Sequence, residues 1–288
     1  MPGRGELTDR AWKEIEPLLP ANGNGRRWRD HRQVINGILW RLRTGAPWRD
    51  MPERYGPWKT AHERLRLWTM DGTWARILEH AVVKDDAIGN VEWTISVDSS
   101  AVRVHQHAAG ARKKGDAKQI RSRPALAGEC LGRSRGGLTS KIHLATDARG
   151  LPMSIIITEG QAGDNPVLLP LLEQINVARN GPGRPRKNPE EVVADKAYSH
   201  PSTRVAMRAK GIRFTSPERA DQQARRQTKG SAGGRPPTFN AESYRGRNVV
   251  ERCFNRLKQF RALATRYAKR AAYYASEVII ASIVIWLR

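Results

Sequence analysis

The hydrophobic pattern of the chain changes period near residue 90, and this change constrains the fold more than any other feature. Before it, Val34, Ile35, Ile38, Leu39 and Leu42 recur at helical spacing between Asp30, which can cap a helix, and Gly45, which can end one. Ala46–Pro57, with three prolines and a glycine, reads as a loop, and a second helical segment runs from about Trp58 to Met70. After the change, Val91–Val104 alternates and is rich in β-branched residues, as a strand does, with Asp98 in its middle. Lys141–Ala145 and Met153–Thr158 read as strands around the turn Asp147–Pro152. Pro166–Ala178 then reads as a helix, Glu191–Ala194 as a short buried strand, His200–Ala209 as a helix and Ile212–Thr215 as a strand. A long helix is expected from about Ala241 to Ala268, followed by a buried apolar helix at the C-terminus. The order predicts an α/β fold, a mixed sheet flanked by helices, preceded by a small helical domain. The expected division is 1–88 and 89–288, with a basic linker at 179–190 and a flexible polar segment at 220–240.

Charge narrows the partner. Lys and Arg number 51 against 28 Asp and Glu, a net charge of +23, and residues 179–288 hold 16 of it. So local an excess is the footprint of a phosphate backbone, whereas a generally basic surface would be spread evenly. The longest strongly apolar run, Val278–Leu287, is too short to span a bilayer, so no membrane partner is expected. Cys130 and Cys253 match no metal spacing and suit a reducing compartment. Seven of the nine tryptophans lie in the helical region; core packing explains most of them, and two short helices across a loop also suit a helix-turn-helix-like DNA reader.

Asp98 and Asp195 each follow an apolar strand. One such residue is usually a hydrogen-bonded structural group or a cap; two in different strands point to a shared metal site, because a divalent cation offsets their repulsion. They can meet only if their strands are neighbours. Between Tyr244 and Arg270 there are nine basic residues and one acid, Glu251. At about 100° per residue, Tyr244, Arg247, Glu251 and Lys258 share one stripe of a helix, beside the apolar stripe of Val250, Cys253, Phe254 and Leu257. A plain ion pair of Glu251 with Arg247 or Lys258 is the alternative. The stripe otherwise offers a carboxylate for metal and cations for phosphate. Arg252 and Arg256 point away from it and are expected to face DNA or a partner subunit. Arg133 and Arg135, in the glycine-rich stretch Gly132–Lys141, are candidates for phosphate contacts or a basic turn. Gly183–Lys187 reads as a solvated linker or a minor-groove arm. His105 and His107 lack further zinc ligands.

The stretch Tyr244-x-x-Arg247-x-x-x-Glu251-x-x-x-x-x-x-Lys258 resembles the signature around the catalytic glutamate of DDE transposases of bacterial insertion sequences. Val97-Asp98-Ser99-Ser100 and Ala194-Asp195-Lys196-Ala197-Tyr198 are similar to the first and second aspartate motifs of that family. His105–Gly110, Gly132–Thr139 and Leu39–Asp50 resemble its family-five branch. The resemblance implies a ribonuclease-H-like catalytic fold and a catalytic, metal-holding set of Asp98, Asp195 and Glu251. It implies Mg²⁺ as cofactor, with Mn²⁺ as substitute, and DNA contacts by Tyr244, Arg247 and Lys258. The expected partners are double-stranded DNA, both element ends and target, and further copies of the chain. The expected setting is the bacterial cytoplasm, at the nucleoid. The 56 residues from Asp195 to Glu251 leave no room for the large β insertion of some relatives. The rival readings are a ribonuclease-H-like nuclease that cuts without joining, and a non-catalytic DNA-binding protein derived from a transposase.

Overall fold

Helices dominate the first third of the molecule, as the 3.6-residue period requires. In the computed structural model, which describes residues 5–21, 28–110, 128–134, 136–179 and 181–288, they are α1 (Asp9–Ile15), α2 (His31–Thr44), α3 (Trp58–Met70) and α4 (Thr73–Ala87). Asp30 caps α2 by accepting the Gln33 N–H at 2.9 Å, and Gly45 ends it in the left-handed conformation, φ 71°. Trp68 and Trp74 are buried and meet edge to face, with ring centroids 5.1 Å apart, so these two tryptophans are core residues.

The rest of the chain builds one sheet and its cover: β1 (Thr94–Val104), α5 (Gln106–Ala109), β2 (Gly132–Ser134), β3 (Gly137–Thr146), β4 (Pro152–Glu159), α6 (Asn165–Glu173), β5 (Glu191–Ala194), α7 (Pro201–Ala209), β6 (Arg213–Thr215), α8 (Ala220–Thr228), α9 (Ala241–Gly246), α10 (Asn248–Lys258), α11 (Arg261–Ala264), β7 (Thr265–Arg266) and α12 (Ala271–Trp286). β1, β3 and β4 form an antiparallel meander, and β5 and β6 extend the sheet in parallel from the other edge of β1. Three antiparallel strands, with a short turn between β3 and β4, and two parallel ones reached through helices make the ribonuclease-H-like arrangement. Period-two alternation gives the sheet two faces. Val102, Ile142 and Leu144 pack towards α10–α12 and the N-terminal helices, while Ile95, Val97 and Ala145 pack towards α6 and Met207 of α7.

The C-terminal helix joins the two parts of the chain. α12 is buried nearly all round, and its Glu277 forms an ion pair with Arg41 of α2, both side chains out of solvent. No helix among the described residues is long and apolar enough to cross a membrane.

The single helix expected over Ala241–Ala268 is instead α9, α10, α11 and the short strand β7. Gly246, a poor helix former, precedes a tightening at Arg247, whose N–H bonds the carbonyl of Tyr244. Beyond Lys258 the chain turns extended at Phe260, and Thr265–Arg266 pair with Arg103–Val104 of β1. Sheet pairing outweighs helix propensity there. Regular structure also forms inside 220–240. α8 begins where the Gln222 side chain accepts the Arg219 backbone N–H at 3.1 Å, and it is fastened by the Glu218–Arg226 ion pair and the hydrogen bonds of Gln222 to Ser199. In the basic linker, Arg186 stacks over Trp93 at 4.1 Å and pairs with Glu190, so it belongs to the fold.

Candidate active site

Register brings the two aspartates together. β1 and β5 pair in parallel from Thr94↔Glu191 to Val97↔Ala194, so the next residues of the two strands are Asp98 and Asp195. They lie side by side and, by alternation, on the face towards α9 and α10. Asp98 accepts the Ser99 N–H at 2.8 Å, and Asp195 accepts the Ala197 N–H at 2.8 Å as the cap of the following turn. Burial pushes the Asp98 carboxyl above its usual range; the Ser99 N–H and Arg247 oppose this, and the Asp195 carboxylate adds to it. A partly buried carboxylate with a second one beside it is the electrostatic condition a cation relieves.

Glu251 reaches the same face from α10 because Val250, Cys253, Phe254 and Leu257 bury that helix against the sheet. Its ion pair with Arg247 is present, at 2.5 Å, and does not end there: the same guanidinium reaches Asp98 at 3.2 Å. Arg247 therefore stands between the first and third carboxylates. Its guanidinium also lies 5.8 Å from the ring centre of Tyr244, which in turn contacts Phe239. Lys258 donates to the Ser100 hydroxyl at 2.7 Å, two residues beyond Asp98 on the same face of β1. The stripe read from the sequence thus holds across the helix break.

Other candidates lie elsewhere. Arg133 is exposed in the β2–β3 hairpin, opposite Leu138. On β3 that hairpin adjoins Thr139, the partner of Arg103, whereas Asp98 is paired with Leu144, about 17 Å along the strand. Arg135 lies outside the described residues. Arg256 is not a free cation: it donates to the Gly150 carbonyl in the β3–β4 turn and is partly buried. Arg252 is exposed. His105 contacts both His107 and Tyr267.

The sequence reading missed a polar cluster on the opposite face of β1. Ser99 donates to Asp164 at 2.8 Å, and Lys141 donates to the same oxygen at 2.9 Å. His143 is fully buried beside Thr158, its ring held neutral because burial lowers its pKa to about 4. Tyr198 is buried; burial, with the negative charge of Asp164, Asp98 and Asp195, pushes its phenol well above the usual range. A signal was available: within Lys141–Ala145 the polar Lys141 and His143 alternate with the apolar Ile142 and Leu144.

The donor set fits a hard divalent cation, since every candidate ligand is a carboxylate oxygen and two come from adjacent strands. Among the described residues no three His, Cys, Asp or Glu side chains gather closely enough for one ion. Arg247 lies between Asp98 and Glu251, and the Glu251 side chain is 49% exposed.

Residues 89–285 match the family described as transposase DDE domain, and residues 7–78 match one described as putative transposase of IS4/5 family. The chain belongs to the DDE transposases: it is a DNA transposase, a metal-dependent polynucleotidyl transferase. It is 31% identical to the putative transposase for insertion sequence element IS6501 of Brucella ovis over 151 residues, 52% of this chain and all of that one. It is 35% identical to the putative transposase for IS402 of Burkholderia cepacia over 139 residues, 48% of this chain and 57% of that one. An uncharacterized protein, y4sN, of Sinorhizobium fredii is 37% identical over 109 residues, 37% of this chain and 83% of its own. Among solved structures, the Mos1 strand transfer complex aligns over 84% of this chain and 81% of that chain at a TM-score of 0.26 and 10% identity, too distant to place any element.

Proposed function

We propose that Asp98, Asp195 and Glu251 are the catalytic carboxylates, that they hold Mg²⁺ or, in its place, Mn²⁺, and that with them the chain cuts DNA at the ends of its insertion sequence and joins those ends to target DNA. The observation that carries this is the β1–β5 register, which sets Asp98 beside Asp195 with Glu251 one guanidinium away. A divalent ion supplies Lewis-acid activation of water or a 3′-hydroxyl and charge stabilisation at the phosphorus. The protein supplies the rest. The strands fix two carboxylates, α10 delivers the third, and Arg247 and Lys258 with Tyr244 position the phosphodiester by charge and hydrogen bonding. No nucleophilic side chain is required, because water and then the freed 3′-hydroxyl attack.

Arg133 and the helical section 1–88 are proposed as further DNA contacts, the latter reading the element's ends. Further copies of the chain are proposed to assemble on the paired ends, at the bacterial nucleoid. The test is incubation with DNA carrying the repeats that flank its own gene, with Mg²⁺. Cleaved ends and joined products are expected. Cleavage without joining would make it a nuclease, and binding without either would make it a DNA-binding protein only.

A further inference from the structure

Arg247 holds two of the three carboxylates at once, and only one of those bonds is of the kind any helix makes. Its pairing with Glu251, at 2.5 Å, joins residues four apart at the start of α10, an ordinary side-chain pair. Its bond to Asp98, at 3.2 Å, joins residues 149 positions apart and ties α10 to β1. The Ser99 N–H engages Oδ1 of Asp98, and the guanidinium takes the other oxygen, Oδ2, through Nη1. Nη2 goes to Oε1 of Glu251, so both terminal nitrogens of the fork are spent on the two acids. The Arg247 side chain is 16% exposed and that of Asp98 22%, which shields their bond from screening by salt. Among the described residues Arg247 makes no ion pair with Asp195.

A guanidinium keeps its charge at every accessible pH and has no acceptor lone pair, so it cannot ligate a metal. Seated on a carboxylate oxygen it excludes a divalent cation from that oxygen, because two positive charges side by side repel. The same fork matches a phosphodiester, whose oxygens offer it an equivalent bidentate partner. We propose that Arg247 is the resident cation of the carboxylate site, that a divalent cation must displace it from Asp98 and Glu251, and that a DNA phosphate favours the exchange by taking the guanidinium. This rests on the assignment of Asp98 and Glu251 as metal ligands. DNA and the divalent cation then strengthen one another's binding by the same factor, since both favour the guanidinium away from the acids. Arg247 in this way ties metal loading to the presence of DNA.

The test is Mn²⁺ binding to the full-length chain, followed by the electron paramagnetic resonance of free Mn²⁺, with thermal unfolding measured alongside. It is run without DNA and with an end-repeat duplex already cut at the element's end and lacking its 3′-hydroxyl, so that no reaction follows; Mn²⁺ held by the duplex alone is subtracted. Without DNA, Arg247→Gln is expected to bind Mn²⁺ about tenfold tighter than the wild type. The duplex is expected to strengthen Mn²⁺ binding to the wild type about tenfold and to leave that of Arg247→Gln nearly unchanged. Lys258→Gln is the control for charge alone: Lys258 is exposed, bonds Ser100 and makes no ion pair among the described residues, so its loss should raise affinity about twofold at most. Unchanged or weaker affinity in the folded Arg247→Gln protein, an equal gain in Lys258→Gln, or an equal effect of the duplex on wild type and Arg247→Gln would overturn the proposal. Should Arg247→Gln fail to fold, the wild type with and without the duplex decides, and no gain from the duplex overturns it. Asp98→Asn and Glu251→Gln are the reference. If they bind Mn²⁺ as the wild type does, the ligand assignment fails, and this inference with it; if they lose binding while Arg247→Gln gains none, this inference alone fails.

Discussion

Single side chains in this molecule are placed by which face of a strand or helix they occupy, and their chemistry follows from that placement. His143 is the clearest case. Buried and neutral, it has a folded pKa lowered to about 4 from an ordinary 6.5, so between those values the unfolded chain binds a proton that the folded chain refuses. Its contribution is fully present above about 6.5 and is lost as pH falls towards about 4, up to about 3 kcal/mol at about 1.36 kcal/mol per pKa unit. Denaturant unfolding of wild type and His143→Gln from pH 7 to 4.5 should give curves that converge as pH falls; parallel curves would contradict the burial. Arg256 and Arg252 make a second contrast. Arg256→Gln removes a charge-assisted bond to the Gly150 carbonyl and should cost about 1.5–3 kcal/mol of stability with the salt dependence of DNA binding unchanged. Arg252→Gln should flatten the log–log salt slope by about 0.9 if that exposed cation meets a phosphate. Salt titrations of binding by the two variants separate these roles.

At the scale of elements, what was legible in the sequence is what local chemistry decides. The span of α3, the cap Asp30, the stop Gly45 and the strand Glu191–Ala194 follow from periodicity and end signals, and the structure has each of them. Asp30→Ala and Gly45→Ala should each cost about 1 kcal/mol in unfolding experiments, the first through a lost cap and the second through a left-handed φ that a side chain resists. What was not legible is decided by distant partners. Thr265–Arg266 leave the helical pattern because the free edge of β1 is there to pair with, and no local signal announces it. Arg256 faces away from Glu251 on a helical wheel, but only the tertiary structure shows that the β3–β4 turn lies there. The three acidic positions could be read from the chain, but that Asp98 and Asp195 lie side by side depends on β1 and β5 being neighbours, which is a property of the sheet.

For the whole molecule, the coupling of the helical section to the sheet runs through α12. The Arg41–Glu277 ion pair is the polar point of that junction, and burial raises the Glu277 carboxyl against the pull of Arg41 and Arg266. Glu277→Ala would leave Arg41 buried without its partner and should cost about 3–5 kcal/mol, whereas an apolar pair at both positions should cost much less. Chemical denaturation of the single and double variants measures this. On that frame rests the proposal that Asp98, Asp195 and Glu251 perform the chemistry while the basic surface supplies the affinity. The most direct measurement compares cleavage and binding of end-repeat DNA by Asp98→Asn, Asp195→Asn and Glu251→Gln with Mg²⁺ present. Each variant should lose cleavage by a factor on the order of 10³ or more while binding DNA about as tightly as the wild type. A Glu251→Gln protein that cleaves normally, or that loses binding and cleavage in equal measure, would contradict it.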